Sequence, residues 1–255
     1  MPVVLVHGVP ETEAIWDPLA ERLAVDHGHE VVRLVPPGFG APVPSDFDPV
    51  RESYVAWLTA ELESIGGDVD LVGHDWGAGH SFGLVTTRPD LVRSWAMDVA
   101  GLMHPDYAWH DMAQLWRTPG VGEETVAGMM GASVDDKVAL FESLGMPAEI
   151  GRKVALANDE TMGRCILALY RSAGPEDLAP IWEALPTTAA TKPGLVIVPS
   201  ADTYVGPLEF SYAVAERAGA QAATLDGLGH WWMLEDPDQA AATLDEFWST
   251  TATTT

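Results

Sequence analysis

Short apolar runs of β type alternate with segments of helical periodicity along most of this chain. Val3–His7, Val31–Val35 and Val69–Val72 are candidate strands, bounded by glycine, proline or polar residues. Between the second and third of them, Arg51–Ile65 repeats apolar residues at three- and four-residue spacing, which is typical of an amphipathic helix. Such alternation predicts an α/β fold in which a mostly parallel sheet has helices on both faces.

The alternation of strand and helix patterns stops near Leu102, and strand patterns return only at Leu195–Val198 and Ala222–Leu225. The intervening segment is rich in Met, Trp, Ala and acidic residues at helical spacing. We interpret it as a helical lid over the carboxyl edge of the sheet, where open α/β sheets bind their ligands. The predicted division is a core of residues 1–102 and 186–248, a lid of residues 103–185 and a disordered tail of residues 249–255.

Charge and cysteine content exclude several classes of partner and environment. The 255 residues include 38 acidic and 13 basic side chains, which gives a net charge of −25 and disfavours nucleic acid and anionic membrane surfaces. The single cysteine, Cys165, forms no internal disulfide. The sequence has no signal-peptide pattern and no membrane-length apolar run, so we expect a cytoplasmic protein. The sequence is compatible with a monomer and with a homodimer.

Residues with catalytic potential follow the ends of the predicted strands. Gly73-His74-Asp75-Trp76-Gly77 lies between a strand and a helix and fits the strained elbow that exposes a nucleophile. Glycines flank Asp75 because so sharp a turn has no room for neighbouring Cβ atoms. His7-Gly8-Val9-Pro10 follows the first strand, whereas Asp202 and His230 come just past later strands. The chain order is therefore nucleophile, acid, histidine.

These motifs resemble the α/β-hydrolase fold superfamily, specifically its branch with an aspartate nucleophile. That branch holds epoxide hydrolases, haloalkane dehalogenases and fluoroacetate dehalogenases. The resemblance covers nearly the whole chain and is carried by HGVP at 7–10, GHDWGA at 73–78 and GH at 229–230. Members usually have two further strands before the HG motif. This chain begins at the strand that leads into it, so we expect those two strands to be missing.

An aspartate in the elbow implies a reaction in two stages. A carboxylate is already anionic at neutral pH and can displace a leaving group from saturated carbon, which leaves an alkyl ester on Asp75. Water then hydrolyses the ester, with His230 as the base and Asp202 orienting its imidazole. Asp98, at the end of a fourth predicted strand over Arg93–Val99, is the alternative acid. The resemblance implies no cofactor and no metal.

Backbone groups would stabilise the charge that develops during hydrolysis of the ester. We expect the N–H groups of Val9 and Trp76 to hold the tetrahedral oxyanion, each contributing roughly 2.7–4 kcal/mol to lowering the barrier.

The leaving group is less constrained than the nucleophile. Tyr170 resembles a lid tyrosine of epoxide hydrolases, but no second tyrosine occurs near residues 112–116. Trp76 with Trp109 or Trp116 offers the paired indole N–H donors of some haloalkane dehalogenases. We predict an epoxide hydrolase acting on neutral, apolar epoxides of small to medium size. A haloalkane dehalogenase is the first alternative, and an esterase-like or non-catalytic ligand-binding member is the second.

Overall fold

The computed structural model describes residues 2–252, which form six strands and twelve α-helices. The strands pair in the order β2-β1-β3-β4-β5-β6, and every pair is parallel. The predicted α/β fold is thereby confirmed, and β1 leads directly to His7 and Gly8. The strands are β1 Val3–Val6, β2 Val31–Leu34, β3 Val69–Gly73, β4 Val92–Met97, β5 Gly194–Pro199 and β6 Gln221–Leu225.

Six α-helices pack around the sheet and six more lie between β4 and β5. The first group is α1 Asp17–Val25, α2 Arg51–Ile65, α3 Trp76–Val85, α10 Leu208–Arg217, α11 Trp232–Glu235 and α12 Pro237–Ala252. The second group is α4 Asp111–Arg117, α5 Val121–Gly131, α6 Val134–Ser143, α7 Ala148–Ala157, α8 Glu160–Arg171 and α9 Pro175–Ala184. Short 3-10 helices occur at Glu13–Trp16, Pro89–Leu91, Ala100–Met103 and Ala189–Thr191. No helix within residues 2–252 is both long and apolar enough to cross a bilayer.

Side chains of the strands alternate between two apolar cores, one on each face of the sheet. Val4 and Val6 join the core that contains the buried faces of α2 and α3. Val3 and Leu5 point the other way, into the core that contains α1 and α12. Because both faces are covered, β1 is apolar along its whole length, as expected of a central parallel strand.

The register of the central strands aligns the loops that carry the polar motifs. Val6 pairs with Gly73, and Gly73 pairs with Met97, so β1, β3 and β4 end side by side. The chain goes from β1 outward to β2 and then returns to β3 on the other side of β1. Such a reversal opens a crevice at the carboxyl edge of the sheet, which is where α/β proteins bind ligands.

The carboxyl-terminal segment differs from the prediction. The predicted tail began at residue 249, but α12 continues to Ala252. Apolar side chains of its last turns, Phe247 and Trp248, are buried against the sheet. This packing outweighs the weak helix propensity of the threonines that follow. Residues 253–255 lie outside the described residues.

Close packing at the start of α3 generates a prediction about Gly77. A Cβ atom added there would lie 2.1 Å from the carbonyl oxygen of Val6. We expect Gly77→Ala to lower the free energy of unfolding by about 2–3 kcal/mol, because the backbone of β1 must move. Urea denaturation followed by circular dichroism measures this loss.

Gly128→Ala is the matched control, because Gly128 lies inside α5 with no atom within 4 Å of an added Cβ. We expect it to raise the free energy of unfolding by up to about 1 kcal/mol through helix propensity. Equal stability of the two variants would contradict the close approach of α3 to β1.

Candidate active site

Asp75 occupies a strained turn between β3 and α3. Its backbone has φ 51° and ψ −123°, a region that residues other than glycine rarely adopt. Neighbouring backbone makes the turn possible, because a Cβ atom at Gly73 would lie 2.7 Å from the Cα atom of Ala78. A Cβ atom at Gly8 would lie 2.1 Å from Asp75 Oδ1. The glycines therefore allow the first and third strand ends to approach around one carboxylate.

The loop after β1 holds one oxygen of this carboxylate. The backbone N–H of Val9 donates to Asp75 Oδ1 at 2.8 Å. Burial raises the pKa of Asp75 to about 6, although the nearby His230 acts in the opposite direction. Asp75 is therefore an anion at neutral pH, but a less solvated and more reactive one than a surface aspartate.

His230 forms a hydrogen-bonded pair with Asp202. The His230 Nδ1 donates to Asp202 Oδ2 at 2.8 Å, and the other oxygen, Oδ1, accepts from the backbone N–H of Tyr204 at 2.8 Å. Burial lowers the pKa of His230, but Asp202 and Asp75 outweigh that effect and raise it above its usual value. The donor role of Nδ1 leaves Nε2 as the nitrogen able to accept a proton.

A charged cluster lies beneath the elbow, completely shielded from solvent. It consists of His74, Asp98 and Glu11, and we call it the buried charge cluster. The His74 ring donates from Nδ1 to Asp98 Oδ2 at 2.5 Å and from Nε2 to Glu11 Oε1 at 3.3 Å. Burial lowers the pKa of His74, but the two carboxylates raise it well above the usual value, so the ring is an imidazolium.

Glu11 completes this cluster and was not identified from the sequence. Its Oε2 accepts from the backbone N–H of Gly8 at 3.2 Å, and its Oε1 accepts from the indole N–H of Trp231. Burial raises the pKa of Glu11, but His74 and Trp231 overcome this and hold it below its usual range. Glu11 is therefore ionised, and it lies beneath the elbow.

Asp98 forms hydrogen bonds to the elbow and not to His230, the candidate base. Its Oδ1 accepts from the backbone N–H of Asp75 at 3.0 Å, and its Oδ2 accepts from the Trp232 indole N–H at 2.6 Å as well as from His74. His230 is bonded to Asp202 instead. The alternative assignment of Asp98 as the acid of His230 is therefore wrong, because the oxygens of Asp98 already accept from Asp75, His74 and Trp232.

Glu11, His74 and His230 bring three potential metal-binding atoms within 4.8 Å of one another. The chemistry of this set does not suit a metal ion. A protonated imidazole has no lone pair to offer, and His74 carries a proton on each nitrogen. His74 instead donates to Glu11, and His230 donates to Asp202.

A small cavity of about 10 Å³ lies over Asp75 beneath the lid. Trp76, Trp109 and Tyr170, three of the residues that the sequence suggests for the leaving group, line it. Trp116 does not line it. The helical spacing of α4 turns Trp116 behind Tyr170, which it contacts edge-on at 4.8 Å between ring centres, so its predicted direct role is wrong.

His110, Tyr107 and Tyr204 also line the cavity, although the sequence did not single them out. The Tyr107 hydroxyl donates to the carbonyl of Tyr204 at 2.9 Å. His110 Nδ1 accepts from the backbone N–H of Ala113 at 3.3 Å, which caps α4. Burial, reinforced by His230, lowers the pKa of His110, so its ring is neutral and carries its proton on Nε2. The position of His110 just before α4 was the sequence signal that could have identified it.

Comparison with known proteins supports the architecture independently. The model of the alpha/beta hydrolase family matches residues 3–243. A curated relative from Acinetobacter baylyi, (E)-2-((N-methylformamido)methylene)succinate hydrolase, is 34% identical over 97 residues. That match covers 38% of this chain and 36% of the relative, so the chain spans about a third of the relative's length.

Solved structures of similar shape include a loop variant of the haloalkane dehalogenase DbeA from Bradyrhizobium elkanii. It has a TM-score of 0.75 and 19% identity, over 99% of this chain and 90% of that chain. An E-2-(acetamidomethylene)succinate hydrolase gives a TM-score of 0.72 and 17% identity, over 97% and 91% of the two chains. At such low identity the similarity establishes the fold.

The buried charge cluster generates a prediction about Asp98. We expect Asp98→Asn to lower the free energy of unfolding by about 3–5 kcal/mol, because removing one charge of a buried ion pair leaves its partner uncompensated. Thermal and urea unfolding measure the loss. Asp90→Asn, which changes an exposed carboxylate paired with Arg88, is the control and should leave stability nearly unchanged. Near-normal stability of Asp98→Asn would contradict the charged state of the cluster.

Proposed function

The chain belongs to the alpha/beta hydrolase family, and from this premise we propose that it hydrolyses epoxides through an ester on Asp75. The observation that carries the proposal is the arrangement around that carboxylate. A backbone N–H holds one of its oxygens, a His–Asp pair interacts with it electrostatically, and hydrogen-bond donors of the lid line the same cavity.

In the first stage Asp75 acts as the nucleophile. Because Val9 holds Oδ1, the attacking atom is Oδ2, which forms a bond to an epoxide carbon while the bond from that carbon to the ring oxygen breaks. The departing oxygen takes a proton from a lid donor. The product of this stage is an ester whose carbonyl oxygen is Oδ1.

In the second stage water adds to the carbonyl carbon of that ester. His230 takes the proton of the water, and Asp202 stabilises the imidazolium that results. Negative charge develops on Oδ1, where the Val9 N–H is already placed. The backbone N–H of Trp76, at the first position of α3, is the proposed second donor. The intermediate collapses as its bond to the diol oxygen breaks, and this oxygen takes the proton from the His230 imidazolium. The remaining carboxylic acid proton returns to the lid donor, which restores the Asp75 carboxylate.

The donors of the lid favour an epoxide over a halide, because an alkoxide leaves only if it is protonated. Tyr170 is buried in the cavity, and burial together with the Asp75 charge raises its pKa well above the usual value, so its hydroxyl keeps its proton. His110 presents a neutral ring with its proton on Nε2. We assign Tyr170 and His110 as the pair that donates to the ring oxygen.

A haloalkane dehalogenase is the first alternative. The Trp76 and Trp109 rings stack at 5.8 Å with an angle of 23° between their planes, and both line the cavity. Indole rings in the same cavity as a carboxylate suit a halide, which needs N–H donors but no proton transfer. The name of the similar DbeA structure is consistent with this alternative.

An esterase-like or non-catalytic ligand-binding member is the second alternative. The Acinetobacter baylyi relative is named for a succinate derivative, which is a dicarboxylate. Here the net charge of −25 and the carboxylates of Asp75, Glu11 and Asp202 repel a dianion. A neutral ligand fits this site better.

The two-stage scheme makes a prediction for the His230→Gln variant. Only the second stage needs the imidazole, so we expect this variant to be alkylated by 1,2-epoxybutane and then to stall. Intact-protein mass spectrometry should detect a stoichiometric adduct of the epoxide's mass, and peptide mapping should locate it at Asp75. The wild type should release 1,2-butanediol and accumulate no adduct.

Three controls make this test specific. Asp75→Asn should form no adduct, and 1-bromobutane in place of the epoxide distinguishes the alternatives through release of bromide. An adduct on another residue would contradict the nucleophile. Absence of turnover over a broad panel of epoxides, haloalkanes and esters would favour the ligand-binding alternative.

The donor assignment predicts a selective loss in Tyr170→Phe and in His110→Phe. We expect each to lower the rate of epoxide opening by about 10²-fold or more, because the departing alkoxide loses a proton donor. Alkylation by 1-bromobutane, if it occurs, needs no proton and should change less than about threefold in the same variants. Single-turnover mass spectrometry in the His230→Gln background measures the first stage directly.

Tyr212→Phe is the matched control, because Tyr212 is exposed and its hydroxyl contacts Thr224, outside the cavity. It should behave like the wild type. Unchanged epoxide opening in Tyr170→Phe would contradict the lid assignment, whatever the outcome for His110.

A further inference from the structure

The cavity over Asp75 is too small for a substrate. Its volume of about 10 Å³ is enough for about one water molecule. Sites for small molecules in proteins typically enclose about 300–1,000 Å³. The proposed reaction therefore needs space beyond the cavity that contacts the carboxylate.

A second cavity of about 400 Å³ lies next to the first, between the segment after β4 and helix α9. Its inner wall is mostly apolar and aromatic, with Met103, Leu178 and Trp182 among the lining side chains. Pro105, Ala179 and Glu183 line it as well and are exposed, so they mark its mouth. We call this space the outer chamber.

The two cavities share a wall. Leu102, Tyr107 and Trp109 line both of them. Tyr107 and Trp109 belong to residues 104–110, which have no helix or strand and connect a 3-10 helix to α4. A shift of these side chains would join the two spaces, because nothing thicker than one layer of side chains separates them.

We propose that the outer chamber binds the hydrocarbon chain of an elongated substrate whose epoxide group reaches Asp75 between Tyr107 and Trp109. This inference rests on the proposed function for its chemistry, but the chamber is defined by geometry alone. It identifies the substrate class as terminal epoxides with an unbranched apolar chain.

The composition and charge of the lining residues favour a hydrocarbon chain over a polar ligand. The chamber has one acidic lining residue, Glu183, which is already paired with Arg217 at 3.1 Å. The Arg217 guanidinium also covers the Trp182 ring at 4.5 Å, so this cation is engaged on the outer side of the wall. His104 also lines the chamber, and its ring stacks on Phe210 at 4.0 Å. What the chamber offers a ligand is therefore mainly apolar contact, which grows with every methylene group buried.

The test compares 1,2-epoxyalkanes of four to ten carbons. Each buried methylene should raise kcat/KM about threefold to fourfold until the chamber is filled. Ala179→Trp places a large ring in the chamber, so kcat/KM should no longer rise with the length of the alkyl chain.

Ala148→Trp is the matched control, because Ala148 is exposed on lid helix α7 and lines neither cavity. It should retain the dependence on chain length. If Ala179→Trp also retains it, or if the wild type shows no such dependence, the outer chamber does not bind the chain.

A measurement without turnover separates this proposal from the proposed function. Isothermal titration calorimetry should find 1,2-octanediol bound at least tenfold more tightly than 1,2-butanediol by the wild type and by Ala148→Trp, and not by Ala179→Trp. This result without epoxide turnover would refute the function and retain the chamber. Turnover of epoxides with equal binding of the two diols would refute the chamber and retain the function.

Discussion

The interaction on which this site depends is the buried imidazolium of His74 between two carboxylates. Asp98 follows β4 and Glu11 belongs to the loop after β1, and both buried carboxyl groups accept a hydrogen bond from the positively charged His74 ring. Asp98 also receives the backbone N–H of Asp75. The cluster therefore joins three strand ends electrostatically and fixes the strained turn, since any movement of the turn would break hydrogen bonds to buried charges.

This arrangement also sets the electrostatic character of the site above it. Within the cluster, Glu11 adds to the effect of burial in raising the pKa of Asp75, whereas His74 lowers it. His230 counteracts this increase, because its own pKa is raised by Asp202 and it carries positive charge more readily. A nucleophilic carboxylate needs this balance. It must stay ionised at neutral pH, yet be poorly enough solvated to attack carbon.

Local sequence patterns predicted the parts of the fold that depend on local rules. The helix over Arg51–Ile65 has the predicted bounds, because Tyr54, Leu58 and Leu62 form its buried stripe and Gly66, at φ 106°, ends it. The elbow could be predicted for the same reason. Glu11 could not, since its hydrogen-bond partners come from distant parts of the chain and include a tryptophan 220 positions away. Asp98 and Asp202 both follow strands, and only the packing of β3 against β4 distinguishes them.

The small size of the inner cavity agrees with the demands of the second stage. Hydrolysis of an ester on Asp75 needs one water near His230 and gains from the exclusion of others, because hydrogen bonds to the developing oxyanion are stronger in a dry site. A cavity large enough for a whole substrate would admit many waters once the chain had left. In the proposed scheme, a narrow reaction site beside a wider apolar chamber avoids this conflict: the chamber would supply binding area, and Tyr107 and Trp109 form the wall between the two spaces.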